Sequence, residues 1–421
     1  MKTDIQADYW SILSQNSIDG VRLDNLAEEY STPLYVYSEN KIAENIDFYK
    51  NYPSHPTVNY AVKANGNLSL LAMMAERNLG FDIVSEGELR RVLQAAGSDY
   101  AKKCVFSGVG KTNQEIRFAL ENDIGCFNVE SRGELQRISQ IAAQLNVAAP
   151  IALRVNPDID AKTHPYISTG MRDNKFGVAI TDAMEIYRQA ARDKNLQIIG
   201  VACHIGSQIT ELAPFVAALR SVKILADELN RNGIVVKHLD IGGGLGVENP
   251  DEREVPTIRQ YLDALYAELS GSDYQLALEP GRSLVANSAL LLTRVVGIKR
   301  QSGKTFLVVD AAMNDFVRVA MYQAKVDIRN LSRADYGICD EEVDVVGPVC
   351  ESGDTFIKAM KLQAKVGDLL AISGAGAYGI SMSSQYNARR RAAEVLLADG
   401  ATRLIRKRDE YAQLWENEIN L

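Results

Sequence analysis

Lys63 is the residue of this sequence with the clearest potential for chemistry. It lies in the string YAVKAN (60–65), at the exit of a short apolar run. Burial lowers the pKa of a lysine towards the range in which the amine is a nucleophile and can form a Schiff base with an aldehyde. Lysines at strand ends also commonly extend into solvent without a chemical role. Lys63 alone leaves both interpretations open.

Three further features suggest a site for a charged, planar cofactor. The glycine run GGGLG (242–246) would let backbone N–H groups approach a phosphate closely, although such a run also suits a plain turn. Glu279 would keep a pyridine nitrogen protonated, or would form an ion pair with Arg282. His204 offers a flat ring that could stack on a cofactor, or it is a core histidine with satisfied hydrogen bonds.

The elements that must position these residues recur from residue 58 to 282. Short β-rich runs occur at eight places, namely 58–62, 81–85, 104–108, 126–130, 151–155, 198–205, 238–242 and 274–279. Stretches with helical periodicity separate them. Three of these helices begin with a predicted capping box, namely Ser85 with Glu88, Thr112 with Glu115 and Ser131 with Glu134. Eight strands alternating with helices predict an α/β fold, a parallel (β/α)8 TIM-type barrel.

In such a barrel the active site forms at the carboxyl ends of the strands. The residues expected at this mouth are Lys63, Ser85, Gly108, Glu130, Asn156, His204, the run 242–246 and the turn 279–282. A polar insertion after the fifth strand is expected to cover the mouth, and it contains Pro157, His164, Pro165 and Gly170.

The pattern changes after residue 283. Apolar runs at 290–300, 305–310, 342–349 and 367–373 alternate with Gly and Asp at turns, which predicts a C-terminal β domain. Helical periodicity returns in the last forty residues and predicts C-terminal helices. The expected domains are a barrel over 35–282 and a β domain over 283–421, completed by residues 1–34.

Composition excludes several classes of function. The net charge of −8 and a pI near 5.3 argue against a nucleic-acid partner, and the basic cluster Arg389-Arg390-Arg391 is too short to change this. No signal peptide or membrane-spanning stretch is recognisable, so a soluble, cytoplasmic protein is expected. The five cysteines are widely spaced without a CxxC pair, which predicts reduced thiols and no metal site. Cys350 by itself is expected to be a buried structural thiol, although Glu351 and Asp354 make a purely apolar setting less natural.

Eleven strings in order resemble one family. They are YAVKAN, FDIVSEGEL, SGVGKT, NVES, RVNP, TH-x-YI-x-TG with NKFG, HIGSQI, LDIGGGLG, EPGR, GPVCESGD and GAGAYG, and they extend over roughly residues 30 to 400. In these strings and their order, the sequence is similar to the pyridoxal phosphate-dependent decarboxylases of the alanine racemase fold. The resemblance implies a pyridoxal 5'-phosphate barrel with a C-terminal β domain, working as a homodimer with shared active sites. It also implies removal of CO2 from meso-2,6-diaminopimelate to give L-lysine, the last step of lysine biosynthesis.

The resemblance also implies roles for individual residues. Lys63 corresponds to the Schiff-base lysine, His204 to the histidine that stacks on the cofactor, and Tyr378 to a tyrosine that touches phosphate and substrate. Cofactor contacts are further implied for Ser207, Gly243, Gly244, Glu279, Gly281 and Arg282. Substrate contacts are implied for Arg282, Arg318, Tyr322, Glu351 and Tyr378. Cys350 corresponds to a proton donor supplied, together with Glu351, by the opposite subunit.

Two departures from the family pattern concern substrate choice. Val319 stands where the family usually has proline, and Val326 where it usually has histidine. Decarboxylation of another diamino acid, a carboxylated polyamine or a carrier-bound amino acid therefore remains an alternative. An amino-acid racemase is disfavoured because such enzymes typically place an arginine, not a glutamate like Glu279, at the pyridine nitrogen. A pyridoxal phosphate carrier protein of this barrel type would lack the β domain.

Overall fold

The computed structural model of the protein describes residues 8–160, 174–250 and 254–419. The chain forms two compact units. The first contains Ile46–Gly246 and Val255–Ser283, and the second contains Ile5–Asn45, Val247–Glu254 and Leu284–Leu421. Within the described residues, no helix is both long and apolar enough to cross a membrane.

The first unit is a closed barrel of eight parallel strands, as the sequence predicts. The strands are Thr57–Ala61, Gly80–Ile83, Cys104–Phe106, Cys126–Val129, Ala149–Asn156, Leu196–Ala202, His238–Asp240 and Gln275–Leu278. Each strand pairs with the next one along the chain. The eighth strand pairs with the first through Leu278 and Val58, which closes the barrel. A short strand, Val178–Ala179, pairs in parallel with Val155 and Asn156 at the end of the fifth barrel strand.

Helices connect the consecutive barrel strands. They are Leu68–Glu76, Glu86–Ala96, Asn113–Glu121, Arg132–Leu145, Ile180–Ala190, Ala213–Arg231 and Ile258–Glu268. The predicted N-caps are present at Ser85, Thr112 and Ser131. Only Thr112 of these three forms the complete reciprocal capping box within the described residues. At the Ser131 cap, the carboxylate of Glu134 instead accepts a hydrogen bond from Lys111 at 2.8 Å, so it is held by a buried ammonium.

The second unit is built on an extended β-sheet. Its main path contains Thr355–Leu362, Ile338–Val346, Lys304–Val309, Ala289–Gln301, Leu34–Ser38, Ala393–Ala398 and Ala401–Arg406 in spatial order, while Leu369–Ile372 and Ile328–Asn330 pair off this path. Its helices are Leu23–Tyr30, Arg318–Tyr322 and the first part of Glu39–Lys50. One of its apolar clusters joins Trp10 and Leu26 from the N-terminal segment to Leu290 and Val395.

Two expectations for this unit differ from the structure. Residues 35–45 group with the β unit instead of the barrel, because Leu34–Ser38 pairs with both Ala289–Gln301 and Ala393–Ala398. The predicted C-terminal helices are wrong: the last forty described residues contain two strands and short 3-10 turns. The string AEVLLA of Ala393–Ala398 favours a helix by intrinsic propensity, but strand pairing on both sides overrides that preference.

The insertion after the fifth barrel strand is described only in part. Pro157 belongs to the described residues, whereas His164, Pro165 and Gly170 lie outside them. The prediction that this segment covers the mouth therefore stays a prediction.

Candidate active site

Lys63 follows the first barrel strand and lies in a short 3-10 turn, Val62–Ala64. Its Nζ donates to Oδ2 of Asp82 at 2.5 Å, and this carboxylate lies in the second strand and is fully buried. The lysine side chain itself keeps 39% of its surface exposed. Lys63 is therefore not a solvated strand-end lysine, but a reachable ammonium held in place by a buried carboxylate.

The glycine run follows the seventh strand and is tightly packed. A Cβ at Gly243 would lie 2.2 Å from the carbonyl oxygen of Glu279, and one at Gly244 would lie 2.4 Å from that of Gly206. Gly242 and Gly244 have φ values of +71° and +116°, which side chains rarely tolerate. The positions therefore require glycine, and the run brings backbone groups alone to the mouth.

Glu279 follows the eighth strand and is buried. Nδ2 of Asn128 lies 3.0 Å from Oε1 of Glu279 and 3.1 Å from Oγ of Ser107, and it donates to both. Burial, together with the charges of Asp240 and Asp82, raises the pKa of Glu279 well above its usual range. The same burial raises the pKa of Asp240 to about 6. The carboxyl groups on this side of the mouth therefore hold a proton more tightly than they would in water.

His204 lies after the sixth strand, next to the glycine run. Its Nδ1 accepts a hydrogen bond from the backbone N–H of Gly243 at 3.3 Å. Desolvation, with the positive charges of Arg154 and Lys63, lowers the pKa of His204 well below its usual value. The ring is therefore neutral at physiological pH, and a neutral ring suits stacking better than ion pairing.

Arg282 and Ser207 meet at the same mouth. Nη2 of Arg282 donates to Oγ of Ser207 at 3.1 Å, and the arginine is buried. The carbonyl oxygen of Pro280 accepts from the N–H of Ala61, which fixes the Glu279–Arg282 turn against the first strand. The structure thus brings together Lys63, His204, Ser207, Gly243, Gly244, Glu279, Gly281 and Arg282 at the carboxyl ends of strands one, six, seven and eight.

The third to fifth strands carry a different set of charges. Nη1 of Arg154 lies 2.7 Å from Oε1 of Glu130, and this carboxylate also accepts from the backbone N–H groups of Gly108 and Gly177. Nζ of Lys111 donates to Glu134, and both side chains are buried. Glu130 and Glu134 thus each form an ion pair with a separate cation.

The remaining candidate residues lie in the second unit. Arg318 and Tyr322 are at the two ends of one short helix. Cys350 is exposed, so the expectation that it is a buried structural thiol is wrong. The hydroxyl of Tyr386 donates to Oε1 of Glu351. Tyr378 is half-buried and has a φ of +55°.

Four polar residues of the barrel were not among the site residues expected from the sequence. They are Asp82, Asn128, Arg154 and Asp240, each in a barrel strand and between two apolar residues of the sequence. An isolated polar residue inside a short apolar strand is costly to bury without a partner. That signal was present in the strings FDIV, FNVE, ALRV and LDIG.

Comparisons with known proteins agree with this geometry. The family "Pyridoxal-dependent decarboxylase, pyridoxal binding domain" matches residues 39–286. Diaminopimelate decarboxylase of Neisseria meningitidis serogroup B is 51% identical over 396 residues, which cover 94% of each chain. The Pseudomonas aeruginosa enzyme of the same name is 50% identical over 95% of this chain and 96% of its own.

A solved structure supports the same assignment. The diaminopimelate decarboxylase of Helicobacter pylori, complexed with L-lysine, superposes with a TM-score of 0.89. It is 43% identical, and the match covers 94% of this chain and 98% of that one. The chain described here belongs to the pyridoxal-dependent decarboxylases and, among them, to the diaminopimelate decarboxylase family.

Proposed function

We propose that this enzyme removes CO2 from the D-configured centre of meso-2,6-diaminopimelate and releases L-lysine, the last step of lysine biosynthesis. The observation that carries the proposal is the meeting of Lys63, the glycine run 242–244 and the buried Glu279 at one barrel mouth. Relatives at about half identity over almost the whole chain bear the name of this activity.

The mouth fits pyridoxal 5'-phosphate, the cofactor of this family. The close-packed glycines 242–244 leave backbone groups to face a phosphate. Oδ1 of Asp82 is buried and has no hydrogen-bond partner among the described residues, so this side of the mouth offers an acceptor for a polar group. When bound, pyridoxal phosphate supplies the electron sink that loss of an amino acid's carboxylate requires.

The chain's own residues then have separate tasks. Lys63 presents its amine from a position fixed by Asp82. Glu279 holds a proton at the ring nitrogen of the cofactor, and Asn128 fixes the orientation of its carboxyl group. The neutral ring of His204 would stack on the bound cofactor. Ser207, Gly243, Gly244, Gly281 and Arg282 hold the cofactor, and Arg282 also binds a substrate carboxylate.

The residues of the second unit act on the substrate. Cys350 is the proton donor to the carbon that loses CO2, which agrees with its exposure. Glu351 binds the distal ammonium of the substrate, and Tyr386 orients the carboxylate of Glu351. Arg318 and Tyr322 bind a substrate carboxylate, and Tyr378 touches phosphate and substrate.

We also propose the organisation of the enzyme. The pyridoxal phosphate-binding domain is the barrel expected over 35–282, apart from residues 35–45. These residues belong, with 283–421 and 1–34, to the β domain. The enzyme is a homodimer in which Cys350 and Glu351 complete the partner's active site. A cytoplasmic location is part of the proposal, and it is supported by five cysteines of which none is in a disulfide.

Release of CO2 from a panel of amino acids tests the function. The purified enzyme with pyridoxal phosphate is expected to decarboxylate meso-2,6-diaminopimelate and to leave ornithine, arginine and lysine largely unchanged. Variants Val319→Pro and Val326→His restore the usual family residues and test whether these positions tune preference. Faster turnover of any other diamino acid than of diaminopimelate would overturn the proposal.

Mixing two inactive variants tests the shared active site. Lys63→Ala and Cys350→Ala subunits, exchanged and verified by two different tags, should together recover about a quarter of wild-type activity. Random assortment makes about half of the dimers mixed, and each mixed dimer has one complete site. A mixture that exchanges subunits yet stays inactive would show that Cys350 acts within its own subunit or not at all.

A further inference from the structure

The barrel contains a cavity at the end opposite to its catalytic mouth. It has a volume of about 540 Å³ and opens among the segments that precede the strands, including 55–56, 78–79 and 102–103. Cavities that bind small molecules are typically about 300 to 1,000 Å³. This space is therefore large enough for a ligand, and it does not include Lys63, His204 or the glycine run.

Small inward-facing side chains produce the cavity. Bulky branched residues usually fill the interior of a (β/α)8 barrel. Here the lining includes Cys126, Ala152 and Ala277, which keep 8%, 5% and 8% of their surface accessible although they lie within the sheet. The part of the interior around these three residues is thus apolar and incompletely filled.

The opening of this cavity is positively charged. Lys50, Lys102 and Lys103 line it next to His55, and these three lysines form what we call the cationic rim. Among the described lining residues the one acidic group is Asp240, and it lies at the inner end. A rim of cations around an apolar interior favours a ligand with an anionic head and an apolar body.

The inner wall of the cavity reaches the catalytic site. Asn128 lines the cavity, and its Nδ2 donates to Glu279 at 3.0 Å. Asp240 also lines it, and its Oδ1 accepts from the N–H of Gly242 at 2.8 Å. A molecule inside the cavity would therefore contact Asn128 and Asp240, the two side chains that hold Glu279 and Gly242 in place.

We propose that this cavity is a second binding site, which takes a small organic anion with an apolar body and acts on catalysis through Asn128. The anionic head lies at the cationic rim, and the apolar body lies against Cys126, Ala152 and Ala277. Displacement of the Asn128 amide weakens its hydrogen bond to Glu279, so occupation lowers kcat. The binding part of this inference is independent of the proposed reaction, whereas the effect on kcat depends on it.

Calorimetric titration of the holoenzyme with hexanoate tests the binding part. Hexanoate is expected to bind, and its neutral counterpart hexanamide should bind more weakly. The variant Lys102→Ala/Lys103→Ala removes two exposed rim charges and should weaken hexanoate binding by about fivefold, at the scale of two surface ion pairs. The control Lys194→Ala/Lys299→Ala removes two exposed lysines away from the cavity and should bind as the wild type does. Equal affinity in the rim and control variants, or equal affinity for hexanamide, would overturn the proposal.

Steady-state kinetics with diaminopimelate tests the link to catalysis. Saturating hexanoate should lower kcat and leave KM unchanged, and the rim variant should need more hexanoate for the same loss. A raised KM with unchanged kcat would show binding at the catalytic mouth and would overturn the proposal. Unchanged kcat at saturation would overturn the role of Asn128. An enzyme that binds hexanoate but turns over no diaminopimelate would instead contradict the proposed reaction.

Discussion

The two sides of the barrel mouth use the same residue types in opposite ways. On the third to fifth strands, Glu130 pairs with Arg154 and Glu134 pairs with Lys111. On the other side, Asp82 contacts a cation, the ammonium of Lys63. Glu279 accepts a hydrogen bond from the neutral amide of Asn128, and Asp240 accepts one from the backbone N–H of Gly242. The first side is balanced in charge, and the second has more carboxyl groups than directly bonded cations.

This difference separates structural from reactive carboxyl groups. A buried carboxylate with its own cation fixes the elements around it, although burial still raises the pKa of Glu134 despite its bond to Lys111. Crowded carboxyl groups without separate cations have raised pKa values, as at Glu279 and Asp240. Such raised values are common at functional sites. A bound cofactor with a positive ring nitrogen would balance the second side.

The largest effect is expected from Lys63→Ala, which removes the ammonium that donates to Asp82. The variant should purify as a folded protein, lack the absorbance of lysine-bound cofactor and show no measurable decarboxylation. Lys194→Ala, an exposed lysine, is the matched control and should keep both properties. Borohydride reduction and peptide mapping identify the modified lysine, and a label on any other lysine would refute the assignment.

Breaking a pair on the balanced side should mainly affect stability. Lys111→Met leaves Glu134 buried without its ammonium, which is expected to lower the free energy of unfolding by about 3 to 5 kcal/mol. Lys102→Met, at an exposed position, should change it by less than about 0.5 kcal/mol. Chemical denaturation measures both. The double variant Lys111→Met/Glu134→Leu should recover most of the loss, and failure to recover would show that Glu134 is not the group left unpaired.

Glu279→Gln should slow turnover by about a hundredfold while the cofactor stays bound, which corresponds to about 2.7 kcal/mol of barrier. The amide cannot hold a proton on the ring nitrogen. Glu134→Gln is the same chemical change on the balanced side, and it should reduce stability with little change in kcat. Equal turnover losses in the two variants would show that the two sides do not differ in function.

The smallest effect concerns pH. Because folding raises the pKa of Asp240 to about 6, the folded protein keeps a proton that the unfolded chain loses near pH 4. The contribution of Asp240 to the unfolding free energy of the cofactor-free protein therefore falls as the pH rises from about 4 to 7. Asp240→Asn should remove this pH-dependent contribution, which amounts to about 1 to 3 kcal/mol. Denaturation at pH 5 and pH 7 measures it, and parallel pH profiles of the two proteins would contradict the raised value.

The sequence was sufficient for the positions of the barrel strands, because each is a short apolar run that stands before a capped helix or a glycine turn. The pairs that polar side chains form inside the barrel could not be predicted from the sequence. Whether Glu130 meets Arg154, or Glu279 meets Asn128, depends on which side chains face each other across the closed sheet. In the second unit, composition favoured helix for Ala393–Ala398, and pairing with the following strand Ala401–Arg406 and with the distant strand Leu34–Ser38 makes it a strand.

Closure of the barrel by Val58 and Leu278 also has a consequence for the order of folding during synthesis. Lys63 leaves the ribosome early, whereas Glu279 follows only after the whole series of strands and helices between them. Contacts between segments so distant in sequence form slowly, since a long loop must first be ordered. A nascent chain therefore carries its reactive amine well before it carries the acid that directs the chemistry of that amine.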